Sequence, residues 1–392
     1  MHVLQINYAY DSSLASPEAL VERYATLTGW SEALVATGVR RVTVVQRFSR
    51  DAELTRAGVR YLFRPDDGPP VADDRTTCAA LDTAVADEAP DVVHVNGLMF
   101  GPQVVALRRR LPASCAIVVQ DHAGRRPPGG RWWHVGRRRR VRALLRGLGE
   151  ADAFLFTARE QAAGWRAAGV IAPGQAVYAI PESSTTLRPV ARDRARAESG
   201  VDGEPALLWV GRLDANKDPL TVLDGFDRTR AALPRAHLTM VFGEDALVGD
   251  VQRRLGRSPA LAAAVRLQGR VPHERMAAFY SAADLFVLGS HHEGSGYALI
   301  EALACGVVPV VTDIPPFRAL VGAAPAALWA PGVATACAAA IERAAAGLSD
   351  ATREMIRSHV DRELSWGAIG RRARGIYEEV LRARNPVPAA QV

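Results

Sequence analysis

The stretch that most constrains this chain is 285–311, where LFVL is followed by GSHHEGSGYALIEALACG and then by VVPVV. Two short apolar runs of strand type flank a segment rich in good helix formers. Gly306 stands where a helix C-terminus commonly places glycine. This order is a β-α-β unit whose first connection is glycine-rich. Two parallel strands joined in this way need cover on both faces, so the rest of the chain must supply further strands and helices around them.

The connection has a chemical consequence. Gly294 and Gly296 let the backbone come close to a ligand, and the amides that open the helix are unpaired and carry the positive end of its dipole. Such a turn suits a phosphate. Glu293 lies just before the turn and Glu301 about one and a half turns inside the helix. A carboxylate disfavours phosphate but accepts hydrogen bonds from hydroxyl groups. A phosphate cradle between two hydroxyl acceptors fits a sugar–phosphate ligand, and a nucleotide sugar has both a ribose and a hexose for those places. A glycine-rich turn with two solvated glutamates is the alternative that these residues alone leave open.

The same alternation runs through the chain. Strands are expected at 3–7, 42–46, 60–63, 91–95, 116–120 and 153–156, with helices at 17–37, 102–110 and 160–168 between them. Residues 180–189, IPESSTTLRP, form a polar, proline-punctuated linker. The pattern then restarts with strands at 207–210, 238–242 and 265–267 and helices at 218–233 and 274–281, and 343–384 reads as largely helical. A chain of 392 residues is too long for one ordinary core and suggests two domains of about 150–200 residues each. The expected fold class is α/β with two parallel-sheet domains: 1–184, 185–365, and a final segment 366–392 made of a helix and a disordered tail. In such sheets ligands bind beyond the carboxyl ends of strands. Asn96 and Gly97, Asp121 and His122, and the 212–217 loop stand at such ends. His122 is equally readable as a capping residue, and His94 as a structural one.

Hydrophobic content of 48% and charged content of 23% describe a globular protein, and no apolar run reaches membrane-spanning length. The N-terminus reads as a first strand rather than a secretory signal. The four cysteines are widely spaced and form no C-x-x-C pair, so they point to reduced thiols in a cytoplasmic protein rather than to a zinc site. The net charge of +6 rests on arginine, and the chain has a single lysine, Lys217. In a composition that otherwise replaces lysine, its survival points to a place that needs a compact ammonium. Arg212 and Lys217 bracket one strand-end loop and are read as two cations facing one crevice. The most basic segment, 125–147, contains Trp132, Trp133 and the run 137–140. It is expected to be a loop and solvated helix, with peripheral contact to an anionic membrane as the alternative; no nucleic-acid module accompanies it.

Over 207–318 the sequence GRLDANKDPLTVLDGF, followed by GRVPHERMAAFYSAADLFVLGSHHEGSGYALIEALACGVVPVVTDIPPFR, resembles glycosyltransferase family 4, whose members are retaining enzymes of GT-B fold. The resemblance implies two Rossmann-like domains facing a central cleft, with the last helix crossing back to the first domain. It implies transfer of a hexose from a UDP- or GDP-sugar to an acceptor hydroxyl. In that scheme Arg212 and Lys217 would bind the donor diphosphate. Gly294, Ser295, Gly296 and Tyr297 would meet the phosphate and sugar, with Glu293 on the sugar hydroxyls and Glu301 on the ribose. Arg270 and Val271 would border the base, and His122 would contact the sugar from the first domain. Asn96 and Gly97 would lie toward the acceptor, which could be a small molecule, a lipid or a glycan. No Asp-x-Asp triplet occurs, so no metal or other cofactor is expected. Many family members carry a Gly-Gly pair in the first loop, and here that region reads YAYDSSLASPEAL. A sugar-nucleotide epimerase, or a non-enzymatic sugar-nucleotide- or nucleic-acid-binding protein, are the competing readings.

Overall fold

The computed structural model describes residues 1–9, 11, 13–65, 78–122, 144 and 146–386. Most of the basic segment 125–147 and the tail 387–392 lie outside the described residues. The chain divides into two compact units, Met1–Ser183 with Trp366–Val392, and Ser184–Ser365.

The first unit is built on an eight-stranded sheet: β1 (His2–Asn7), β2 (Arg41–Phe48), β3 (Ala52–Arg56), β4 (Val59–Pro65), β5 (Val92–Asn96), β6 (Ala116–Gln120), β7 (Ala153–Phe156) and β8 (Ala176–Ala179). Their order is β3-β4-β2-β1-β5-β6-β7-β8, and every pairing is parallel except β3 with β4. Successive residues of the strands point to opposite faces. Leu4, Ile6, Val93 and Val95 therefore enter one core with Val104 and Leu107, and Val3, Val42 and Val44 enter another with Leu34, Ile369 and Ile376.

The second core is completed by the helix Trp366–Arg384. It packs on the helix Ala25–Ala36, where Trp30 Nε1 donates to the Tyr377 hydroxyl at 3.1 Å. Gly370 permits this approach, because a Cβ there would lie 2.6 Å from the carbonyl oxygen of Ala33.

The helix expected across 17–37 is two helices, Pro17–Arg23 and Ala25–Ala36, separated at Tyr24. The Thr28 hydroxyl donates to the Val21 carbonyl across that break. The edge strand β3 departs from the expectation because its residues, AELTR, are mostly exposed and give no apolar signal.

The second unit has a six-stranded sheet: β9 (Ala206–Gly211), β10 (His237–Phe242), β11 (Val265–Gly269), β12 (Leu285–Leu288), β13 (Val308–Thr312) and β14 (Ala327–Trp329). All its pairings are parallel, in the order β11-β10-β9-β12-β13-β14. After β9 the chain builds outward through β10 and β11, then returns to the other side of β9 with β12. The topological switch point thus lies between β9 and β12, where the loops leaving two adjacent strands open a crevice. Residues 190–199, expected to follow a plain linker, include the helix Arg192–Ser199, and the helix after β9 ends at Thr229, earlier than expected. The helical region 343–384 consists of several pieces, with a π-helical turn at Val360–Leu364.

Candidate active site

The β9 loop runs from Arg212 to Asp218, whose side chain caps the helix Pro219–Thr229 by accepting from Thr221 N at 3.2 Å. The β12 loop runs from Gly289 to Gly296, the N-cap of the helix Tyr297–Ala304. Gly296 has a φ of +61°, in the left-handed region where a side chain is strained, and a Cβ there would come 2.5 Å from Leu320 Cδ1. Glycine has no side chain to cap the first turn; Leu299 N donates to the Gly296 carbonyl at 3.0 Å, and the amides of Tyr297 and Ala298 are left to water or to a ligand.

The two loops are joined by a dense set of bonds. His291 N donates to the Asn216 carbonyl at 2.8 Å, His292 N to Asn216 Oδ1 at 3.0 Å, and Asn216 Nδ2 to the His292 carbonyl at 3.0 Å. His291 Nε2 lies 3.1 Å from Asp218 Oδ2. At the centre, the ammonium of Lys217 is bonded to Oε1 of Glu293, which also accepts from the Ser290 hydroxyl at 2.7 Å. The side chains of Lys217 and Glu293 are only 15% and 11% exposed. The predicted cation and the predicted helix opening therefore belong to one crevice. Arg212 stands apart from this pair. Its Nε lies 3.1 Å from Asp214 Oδ2 and its side chain is more than half exposed, so the loop offers one enclosed cation and one at its rim.

Deeper in the same unit, Glu301 is nearly fully buried. Its Oε2 accepts from the Tyr280 hydroxyl at 2.8 Å and its Oε1 faces His273 Nε2 at 2.7 Å. Burial, and then the charge of Glu301, hold the Tyr280 phenol well above its ordinary pKa and raise that of Tyr297, so both hydroxyls keep their protons. Tyr297 opens the helix and is 38% exposed, with its ring 6.4 Å from that of His273. Arg270 and Val271 follow β11, with Arg270 Nε close to Gly243 at the end of β10.

The remaining predicted residues form a set of their own in the first unit. His122, just after β6, has Nδ1 2.9 Å from Glu182 Oε1 and Nε2 2.7 Å from Asn96 Oδ1. Gly97 follows with a φ of +132°. His94 is buried, with Nδ1 2.7 Å from the Tyr377 hydroxyl. Sequence reasoning missed Asn216, His273, Tyr280 and Glu182. For Tyr280 and His273, which precede β12 in GRVPHERMAAFYSAAD, no local pattern announces a carboxylate partner more than 20 positions away. Glu182 falls in the stretch that reads as a polar linker, yet 182–185 is buried. Among the described residues no group of three or more histidine, cysteine or acidic side chains could hold a metal ion. Among them, also, no helix is long and apolar enough to cross a membrane.

Residues 191–357 match the model of the family described as Glycosyl transferases group 1. A GDP-mannose:cellobiosyl-diphosphopolyprenol alpha-mannosyltransferase of Xanthomonas campestris is 26% identical over 237 residues, 59% of this chain and 58% of that protein. A D-inositol 3-phosphate glycosyltransferase of Rhodococcus erythropolis is 34% identical over 151 residues, 37% of this chain and 33% of that protein. The chain thus spans between a third and three-fifths of the length of these curated relatives. Among solved structures, sucrose-phosphate synthase of Thermosynechococcus elongatus aligns with a TM-score of 0.69 at 21% identity, covering 98% of this chain and 100% of that one. HepE of Anabaena, solved in complex with UDP, aligns with a TM-score of 0.67 at 15% identity, covering 97% and 100%. The fold is that of the GT-B glycosyltransferases.

Proposed function

We propose that the chain, whose residues 191–357 match the model of the group 1 glycosyl transferases, moves a hexose from a UDP- or GDP-sugar to an acceptor hydroxyl with retention of anomeric configuration. The observation that carries this reading is the pairing of Lys217 with Glu293 beside the opening of the helix Tyr297–Ala304. Cleavage of the sugar–phosphate bond puts negative charge on the leaving diphosphate and positive charge on the ring. An enclosed ammonium and the first-turn amides are fixed positive groups, and their stabilisation costs little reorganisation at the moment of reaction. Without ligand, Glu293 neutralises Lys217. A diphosphate carries more charge, so it displaces Glu293 from the ammonium, and the carboxylate turns to sugar hydroxyls.

Glu301, held by Tyr280 and His273, accepts the ribose hydroxyls, with Tyr297 at the rim and Arg270 and Val271 toward the base. Arg212 adds a second charge to the diphosphate from the edge. The positive charge comes from the protein's own groups and the sequence has no Asp-x-Asp triplet, so no metal is assigned to the donor. The acceptor attacks from the leaving-group side and the departing phosphate takes its proton. The names of the relatives and neighbours support both GDP and UDP as donor nucleotides. A lipid-linked acceptor, of the kind named for the Xanthomonas relative, would bring the cytoplasmic face of a membrane into contact with 125–147.

Thermal-shift measurement with UDP-, GDP- and ADP-sugars, followed by an assay for nucleoside diphosphate release and NMR of the product anomer, tests the assignment. One donor is expected to raise the melting temperature and to be consumed with retained configuration when acceptor is present. Stabilisation by none of these donors, or turnover of a donor to an isomer without acceptor, would overturn it.

A further inference from the structure

The β9 and β12 loops meet main chain to main chain. A Cβ at Gly289, the first residue of the β12 loop, would lie 3.1 Å from the Asp218 carbonyl oxygen and 3.2 Å from that of Lys217. A residue without a side chain is what lets the two strand ends come this close. Asp214 shapes the β9 loop from within, its Oδ1 accepting from Lys217 N at 2.9 Å.

Asn216 fastens that loop to the other. Its main-chain carbonyl accepts from His291 N at 2.8 Å, and its side chain takes both main-chain polar groups of the next residue. Oδ1 accepts from His292 N and Nδ2 donates to the His292 carbonyl, each at 3.0 Å. A backbone N–H only donates and a carbonyl only accepts, so one orientation of the carboxamide satisfies both. The side chain thus does what a neighbouring strand would do. Asn216 immediately precedes Lys217 and His292 immediately precedes Glu293, so this double bond lies one residue from the ion pair on both loops.

The two ties answer differently to a ligand. The Lys217–Glu293 tie is ionic, and in the proposed reaction a diphosphate takes the ammonium from the carboxylate. The Asn216 tie is neutral and closed on the main chain, so it survives that exchange. We infer that Asn216 is a positioning residue for the proposed transfer: it keeps the Lys217 ammonium in register with the amides of Tyr297 and Ala298 once Glu293 has let go. Misplacement of a reacting group by about 1 Å can cost ~100-fold in rate. This role rests on the transferase reading, whereas the clamp between the loops does not.

The Asn216→Ala variant tests both. It keeps the main-chain bond to His291 and the contact of His291 Nε2 with Asp218, so the fold should survive. Amide hydrogen exchange of 289–296, followed by mass spectrometry on the intact, ligand-free protein, is expected to quicken about tenfold. Unchanged exchange overturns the clamp, whatever happens to turnover. With saturating donor, kcat should fall by about 10- to 100-fold and donor KM should change less, because the ribose and base sites lie elsewhere. A residue that serves the fold alone would lower kcat by the same factor whatever stands at 217. In the Lys217→Ala background, Asn216→Ala should therefore quicken exchange as before and change kcat by less than about threefold. Equal losses in the two backgrounds, or a single variant within about threefold of the parent, overturn the positioning role. If exchange quickens in the variant but the unsubstituted protein consumes no donor, the clamp stands and the transferase reading falls, taking the positioning role with it.

Discussion

Replacing Lys217 by alanine tests the proposed chemistry most directly. Its ammonium is largely enclosed and already bonded to a carboxylate of the facing loop, so it is held in place before any ligand arrives. A phosphate oxygen about 4 Å from that charge gains ~4 kcal/mol at the effective dielectric of a partly enclosed site. Loss of a single preorganised group at a developing oxyanion commonly costs ~10²–10³ in turnover. A fall of about 10²–10³-fold in kcat is therefore expected, read as nucleoside diphosphate release at saturating donor. The fold should survive, since Glu293 keeps the Ser290 hydroxyl at 2.7 Å and the Asn216 bonds still join the loops. Circular dichroism and a melting curve check this. The Glu293→Gln variant separates two routes to the same loss. If Lys217 acts only by placing Glu293, the two single variants and the double variant lose equally. If it acts on the diphosphate, Lys217→Ala and Glu293→Gln differ and the double variant is worse than either. Turnover within about threefold of the parent in Lys217→Ala would refute the electrostatic argument.

Three further outcomes follow from the first unit. Tyr377→Phe leaves the Trp30 indole N–H and His94 Nδ1 buried without partners, and denaturant unfolding should show a loss of ~2–4 kcal/mol. His94 has its folded pKa lowered to about 3, first by burial, so the unfolded chain takes up the proton first. Its contribution to stability is complete above about pH 6.5 and is lost as pH falls toward about 3, at ~1.4 kcal/mol per unit. Between pH 7 and pH 5 the unsubstituted protein should therefore lose ~2 kcal/mol more than His94→Gln; parallel curves would contradict this. Gly370→Ala places a methyl group 2.6 Å from the Ala33 carbonyl oxygen. It should cost ~1–3 kcal/mol and lower the melting temperature by several degrees.

What could be read from the amino acids alone follows the range of the interactions. The β9 and β12 strands are continuous apolar runs, and the glycines and proline of their loops are local signals. The switch point and its phosphate-type turn were accordingly legible. The edge strand β3 was not, because an exposed polar strand depends on its neighbour rather than on its own composition. Asn216 is an ordinary loop residue until its side chain is seen to hold the main chain of the opposite loop. His273 and Tyr280 converge on Glu301 only after the sheet has brought their segments together. Glu182 was hidden by a polar, proline-flanked context that ordinarily means solvent.

The helix Trp366–Arg384 has a consequence for how the molecule comes into being. Its partner helix lies more than three hundred positions earlier, and the Trp30–Tyr377 bond joins residues 347 apart. During synthesis the inserted unit emerges as one unbroken segment and can condense as soon as it clears the ribosome. The unit begun first must wait, with the flank lined by Leu34 and Val42 uncovered, until residues 366–384 have been made.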